Sequence, residues 1–83
     1  MKVQVRYFAS LREALGPAET VDVAPGTSIA GLRERLRAQS DGHAAALAPG
    51  RAVRCALNQR LTGDDALLGD GAEVAFFPPV TGG

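Results

Sequence analysis

The stretch Glu19-Thr20-Val21-Asp22-Val23-Ala24-Pro25-Gly26-Thr27-Ser28-Ile29-Ala30-Gly31-Leu32-Arg33-Glu34-Arg35-Leu36 changes its hydrophobic period in mid-course. Up to Val23, apolar and polar residues alternate and β-branched side chains are frequent, the pattern of a half-buried strand. Pro25-Gly26 makes a turn. Beyond it, Thr27 or Ser28 offers a side-chain oxygen to a helix N-terminus, and Ile29, Leu32 and Leu36 recur at helical spacing. A strand therefore feeds the longest helix of the chain, and the single apolar stripe of that helix should pack across a sheet.

Upstream, residues 2 to 8, Lys-Val-Gln-Val-Arg-Tyr-Phe, also alternate, with Val3, Val5 and Tyr7 on one face and Gln4, Arg6 and Phe8 on the other. Phe8 breaks the polar pattern of its face and so covers a second apolar patch or meets a partner. Ser10-Leu11-Arg12-Glu13 reads as a capping box opening a short helix, which Gly16-Pro17 ends through a left-handed cap. Downstream, residues 40 to 50 are Ala-rich and punctuated by Asp41, Gly42, Pro49 and Gly50, which suits a loop with room for one short helical turn. His43 in that loop has no Cys or His at ligand spacing and is expected on the surface. Val53 to Leu57 alternates again with Cys55 facing inward, Asn58-Gln59 turns the chain into a short strand at Arg60-Leu61, and Gly69-Asp70-Gly71 precedes a last strand, Glu73 to Phe77.

The order is strand, short helix, strand, long helix, strand, short strand, strand. It predicts an α+β chain of the β-grasp, or ubiquitin-like, architecture: a mixed sheet with one long helix packed on one face. Eighty-three residues, 46% of them hydrophobic, suffice for one domain with one core and no more. We expect a single domain over 1-83, with a globular body at 1-77 and a flexible, extended tail at 78-83.

Composition narrows the function. Nine basic and nine acidic residues leave no formal net charge, against the basic excess of a nucleic-acid binder. Arg33, Arg35 and Arg37 cluster, but with Glu34 among them they read as a solvated helix face. Lys2 is the only lysine, and no Gly-x-x-x-x-Gly-Lys run occurs, so ATP binding by this chain alone is not expected. A single cysteine gives no internal disulfide, and the interrupted N-terminus offers neither a signal-peptide core nor a membrane span, so a cytoplasmic protein is expected. Cys55, with no local feature to lower its pKa and no second thiol, reads as a small buried hydrophobe.

The tail, Pro78-Pro79-Val80-Thr81-Gly82-Gly83, cannot continue a helix or a ladder from its proline nitrogens. Its last five residues reach about 18 Å when extended, enough to enter a neighbouring active site. Gly82 and Gly83 carry no side chains, so the terminal carboxylate rides on the thinnest backbone available. An ionised carboxylate resists nucleophilic attack and must first become an anhydride such as an acyl-adenylate. A separate ATP-using partner would have to make it.

Three blocks carry a family likeness: Val5-Arg6-Tyr7-Phe8-Ala9-Ser10-Leu11-Arg12-Glu13, Ala56-Leu57-Asn58-Gln59, and Asp70 through Gly83 with its Phe-Phe-Pro-Pro-Val-Thr-Gly-Gly end. Over its whole length the chain resembles the sulfur-carrier small subunits of molybdopterin synthases. The resemblance implies that Gly83 is adenylated by an enzyme like ubiquitin-activating enzymes and then converted to a C-terminal thiocarboxylate. It implies that the tail next enters the large synthase subunit, within a heterotetramer, and gives its sulfur to a cyclic pyranopterin precursor to build the dithiolene. On that reading the chain is a protein cosubstrate with no catalytic side chain, no bound cofactor or metal, and no nucleic-acid or membrane partner. Its partners are the large subunit, an adenylyltransferase and a sulfur donor protein. Phe8, Leu61, Phe77, Pro78, Pro79, Val80 and Thr81 are the expected partner surface and Gly82-Gly83 the reactive end. Ala72 and Cys55 depart from the family's usual residues, away from the tail. A thiamin-pathway sulfur carrier, a ubiquitin-like protein modifier and a plain interaction module remain alternatives.

Overall fold

The computed structural model describes residues 1–79; Val80, Thr81, Gly82 and Gly83 lie outside the described residues. Eight elements follow one another: β1 (Lys2–Tyr7), α1 (Ala9–Leu15), β2 (Ala18–Asp22), α2 (Ile29–Arg37), α3 (Asp41–Ala46), β3 (Arg54–Leu57), β4 (Arg60–Thr62) and β5 (Glu73–Phe77). The five strands form one mixed sheet in the order β2-β1-β5-β3-β4. β1 and β5 run parallel at its centre and every other neighbouring pair is antiparallel. This is the β-grasp arrangement, α+β and ubiquitin-like, with the helices on one face.

Period-two patterning decides which face is covered. Val3, Val5 and Tyr7 of β1, Val21 of β2, Cys55 of β3, and Val74 and Phe76 of β5 are buried against Leu11 of α1, Ile29, Leu32 and Leu36 of α2, and Ala46 and Leu47 at the end of α3. Nine of the core side chains are almost fully buried, Tyr7 and Phe76 being the bulkiest. Each large apolar side chain of this kind contributes about 1.5–3 kcal/mol, so the inner face carries most of the fold's stabilisation. Ser28 caps α2, its Oγ accepting from the Gly31 amide at 3.1 Å. Asn58 and Gln59 both adopt positive φ (50° and 70°), the twist-matched two-residue connection of a β-hairpin, here between β3 and β4.

Four sequence expectations need correction. The helical layer holds three helices among the described residues, since 41 to 46 form α3, where a loop was expected. Ser40 accepts the His43 amide at 3.0 Å as its N-cap, and Asp41 favours the first turn's dipole. The capping box at Ser10 is not used. α1 begins two residues earlier, because the Phe8 amide is drawn to the Phe76 carbonyl (3.1 Å) and Phe8 then serves as N-cap, its own carbonyl taking the Leu11 and Arg12 amides. Ala9 turns the chain there at φ 53°.

The other two corrections concern single side chains. Arg33 is not a solvated-face residue: Nε donates to the Leu47 carbonyl (2.8 Å) and Nη2 to those of Ala48 and Arg51 (2.7 and 3.1 Å). It thereby satisfies the carbonyls left over past α3. His43 is not at the surface either, with only 15% of its side chain exposed.

Candidate functional site

The site is built around the point where β5 ends. β5 lies between β1 and β3, so the chain that leaves it starts from a strand held on both sides. In register, Tyr7 lies beside Phe76 and Arg54 opposite Phe77, while the Phe8 amide closes the ladder onto Phe76. Phe76 faces inward at 1% exposure and stacks on Tyr7 with ring centroids 6.4 Å apart and planes 21° from parallel. Phe77, one residue on, takes the opposite face by strand alternation. Pro78 and Pro79 follow, both half-buried.

On the outer face the alternation groups two rows across the sheet. Arg6, Ala75, Ala56 and Leu61 make one row, and Phe8, Phe77 and Arg54 make the next, nearer the chain's exit. Phe8 is 40% exposed and Leu61 69%. The structure thus brings together Phe8, Leu61, Phe77, Pro78 and Pro79 of the expected partner surface. Val80, Thr81 and the reactive pair Gly82-Gly83 fall outside the described residues.

Behind the patch is a polar cluster that local sequence patterns do not disclose. The Tyr7 hydroxyl donates to Glu19 Oε2 at 2.7 Å, the Gln39 amide nitrogen donates to Oε1 at 2.8 Å, and His43 Nε2 lies 2.8 Å from Oε2. His43 Nδ1 is 2.7 Å from the Ser40 hydroxyl. An ionised Glu19 can only accept, so Nε2 carries a hydrogen, and in the neutral ring Nδ1 then accepts from Ser40. Burial pushes the Glu19 carboxyl up, but the bonds from His43, Gln39 and Tyr7 outweigh it and hold the group below the ordinary glutamate range. Burial, then the bond to Glu19 and its charge, push the Tyr7 hydroxyl far above the usual tyrosine value. The cluster ties β1, β2 and the end of α2 to α3 and fixes Tyr7, on which Phe76 rests. Ser40 just ahead of an Ala run was the one signal that could have revealed α3.

Other candidate chemistry is absent from the neighbourhood of the exit. Cys55 is buried, its Sγ directed to the Thr62 carbonyl at 3.4 Å, and burial first, with Asp64 adding to it against Arg33, raises its thiol. Such a thiol is a poor nucleophile. At the other end of the molecule a groove of about 490 Å³ is lined by Asp22, Val23, Thr27, Ser28 and Arg35 among others. The first amides of α2 there are already taken, Ile29 by the Ala66 carbonyl, Ala30 by that of Asp64 and Gly31 by Ser28, so no anion cradle remains. Among the described residues no helix is long and apolar enough to cross a membrane.

The model of the ThiS family matches residues 5–83. The molybdopterin synthase sulfur carrier subunit of Escherichia coli is 46% identical over 81 residues, covering 98% of this chain and 99% of that protein. Its counterpart of the same description in Mycobacterium tuberculosis is 38% identical over 88 residues, covering 100% and 99%. Among solved structures, a chain from the complex of subunits 1 and 2 of the Helicobacter pylori molybdopterin-converting factor superposes with a TM-score of 0.69 at 27% identity, covering 100% of both chains. The chain belongs to the ThiS family. Within it, the likeness to molybdopterin synthase sulfur carrier subunits extends over the full length.

Proposed function

We propose that this chain carries sulfur for the assembly of molybdopterin, with the Gly83 carboxylate as its working group. The observation that carries the reading is the conjunction of full-length likeness to sulfur carrier subunits with a Pro-Pro-Val-Thr-Gly-Gly end that issues from the central strand of a rigid sheet. In the cycle, a carboxylate oxygen of Gly83 attacks the α-phosphorus of ATP on a separate adenylyltransferase, expelling pyrophosphate. A sulfur donor then displaces AMP, leaving a thiocarboxylate. The tail threads into the large synthase subunit and its sulfur passes to the pterin precursor, and hydrolysis returns the carboxylate.

In this cycle the body's own residues bind and aim. Tyr7, Phe76 and the Glu19–His43 cluster fix the root of the tail, Phe8, Leu61, Phe77 and the two prolines dock on the large subunit, and Gly82 allows passage through a narrow channel. The working form is a heterotetramer with the large subunit, in the cytoplasm, and the chain holds no cofactor of its own. Deletion of Gly83 tests the assignment in a reconstituted system of large subunit, adenylyltransferase, ATP and sulfur donor. Product formation should vanish while binding to the large subunit stays within about tenfold of the full chain, because the docking surface is intact. Undiminished product from the shortened chain would refute the reading.

A further inference from the structure

The apolar patch on the outer sheet face is flanked by two arginines that have no hydrogen-bond or ion-pair partner among the described residues. Arg6 lies at one end of the row Arg6, Ala75, Ala56, Leu61, and Arg54 lies beside Phe77 in the next row. Both are exposed, and the Arg6 guanidinium sits 5.8 Å from the centroid of the Phe8 ring. Among the described residues neither side chain has a hydrogen-bond or ion-pair partner. Elsewhere some cations are engaged, Lys2 with Asp22, Arg37 with Glu34, Arg35 with Gln39 and Arg33 with three carbonyls, while Arg12, Arg51 and Arg60 are exposed and, like Arg6 and Arg54, have no such partner among the described residues. What sets Arg6 and Arg54 apart is their place: both flank the outer-face residues Phe8, Phe77 and Leu61, of which Phe8 and Leu61 are exposed.

Covering that patch brings the two guanidinium groups to the boundary of the contact. A buried or half-buried arginine without an acceptor costs several kcal/mol, whereas one facing a carboxylate forms a charge-assisted, often bidentate bond. Arginine at the margin of an aromatic anchor is also the residue type that most often carries binding energy. A second copy of this chain would present the same unpaired cations and fits poorly.

We propose that the large subunit receives this face in an apolar socket with carboxylates on both sides, one meeting Arg6 and one meeting Arg54, and that these pairs set which large subunit the carrier recognises. The proposal rests on the reading that the outer face docks on the large subunit. It adds the chemistry of that partner's surface and two specificity-determining residues.

The test is the affinity of the full chain for the large subunit from the same source, measured by calorimetry at low and high sodium chloride. The variants are Arg6→Gln, Arg6→Glu, Arg54→Gln, Arg54→Glu and, as a control on the helical layer, Arg35→Glu. At low salt each Glu variant should bind roughly tenfold or more weakly, each Gln variant should fall between it and the parent, and the differences should shrink as salt rises. Arg35→Glu should stay within about twofold. Thermal midpoints of the Arg6 and Arg54 variants should match the parent, since both side chains are exposed and have no hydrogen-bond or ion-pair partner among the described residues. If the parent binds and the Glu variants bind equally well, or lose affinity no more than the Arg35 control, this proposal is overturned while the docking reading survives. Self-association of the chain through this face would overturn it as well. If the parent itself fails to bind the large subunit, the docking reading falls first.

Discussion

Phe76 and Phe77 are adjacent in the chain and opposite in duty, and the same division separates Arg33 from Arg6 and Arg54. On the inner face, Phe76 is enclosed by Tyr7 and the core, and in the helical layer Arg33 gives three hydrogen bonds to carbonyls of its own chain. Across the sheet, Phe77 is half-buried and its neighbour Arg54 is exposed, with no hydrogen-bond or ion-pair partner for that arginine among the described residues. One face is covered by the helical layer of the same chain; the other carries the exposed apolar residues Phe8 and Leu61. A sheet held on one side by three helices can leave its second side open because the covered face supplies the stability.

This contrast predicts effects that split cleanly between folding and binding. Phe76→Ala should remove about 3–5 kcal/mol of unfolding free energy in urea titration, since it empties a core site. Phe77→Asp, by contrast, should abolish binding to the large subunit with stability altered by less than about 1 kcal/mol. A large stability loss from Phe77→Asp would break the two-face division. Arg33→Met keeps the aliphatic stem but removes the side-chain donors to the Leu47 and Arg51 carbonyls and one of the two donors to Ala48, whose carbonyl keeps the Arg51 amide, and should cost about 1.5–3 kcal/mol, with hydrogen exchange rising at residues 41 to 51.

Smaller effects should follow pH. Glu19 is held below its ordinary value of 4.5, so its contribution is present above that pH and is lost as pH falls through the lower folded value. The stability difference between the parent and Glu19→Gln should therefore be largest near neutrality and shrink in acid. Tyr7, raised above its ordinary value of 10.0, gives the mirror case: its contribution is present below that pH and fades only in alkali. Tyr7→Phe should cost about 1 kcal/mol at neutral pH and lessen the alkaline loss. Parallel pH profiles for parent and variants would show that the cluster is not linked to folding.

What the sequence discloses and what it hides divide along the same physical line. β5 is legible to the residue, because alternation from Glu73 to Phe77 is bounded by Gly71 and by Pro78. Ser28 and the stripe Ile29, Leu32, Leu36 locate α2, and the inward Cys55 follows from period two. The apolar outer residues Phe8, Leu61 and Phe77 are legible as exceptions to a polar face. Hidden is whatever depends on contacts distant in sequence. Glu19 meets His43 across 24 positions and Arg33 meets Arg51 across 18, and no local period encodes either. α1 is capped at Phe8 and not at Ser10 because a neighbouring strand captures the Phe8 amide, a tertiary contact overriding a sound local cap. The unpaired state of Arg6 and Arg54 could not be read from eight arginines in a neutral chain.

The most direct test of the central claim is the intact mass of the protein after incubation with ATP, the activating enzyme from the same source and a sulfur donor. The expected result is a gain equal to the exchange of one oxygen for one sulfur, located to Gly83 by fragmentation and absent from the chain lacking that residue. An unchanged mass in the presence of a verified active enzyme, or Gly83 recovered in amide linkage to lysines of other proteins with no thiocarboxylate formed, would contradict it.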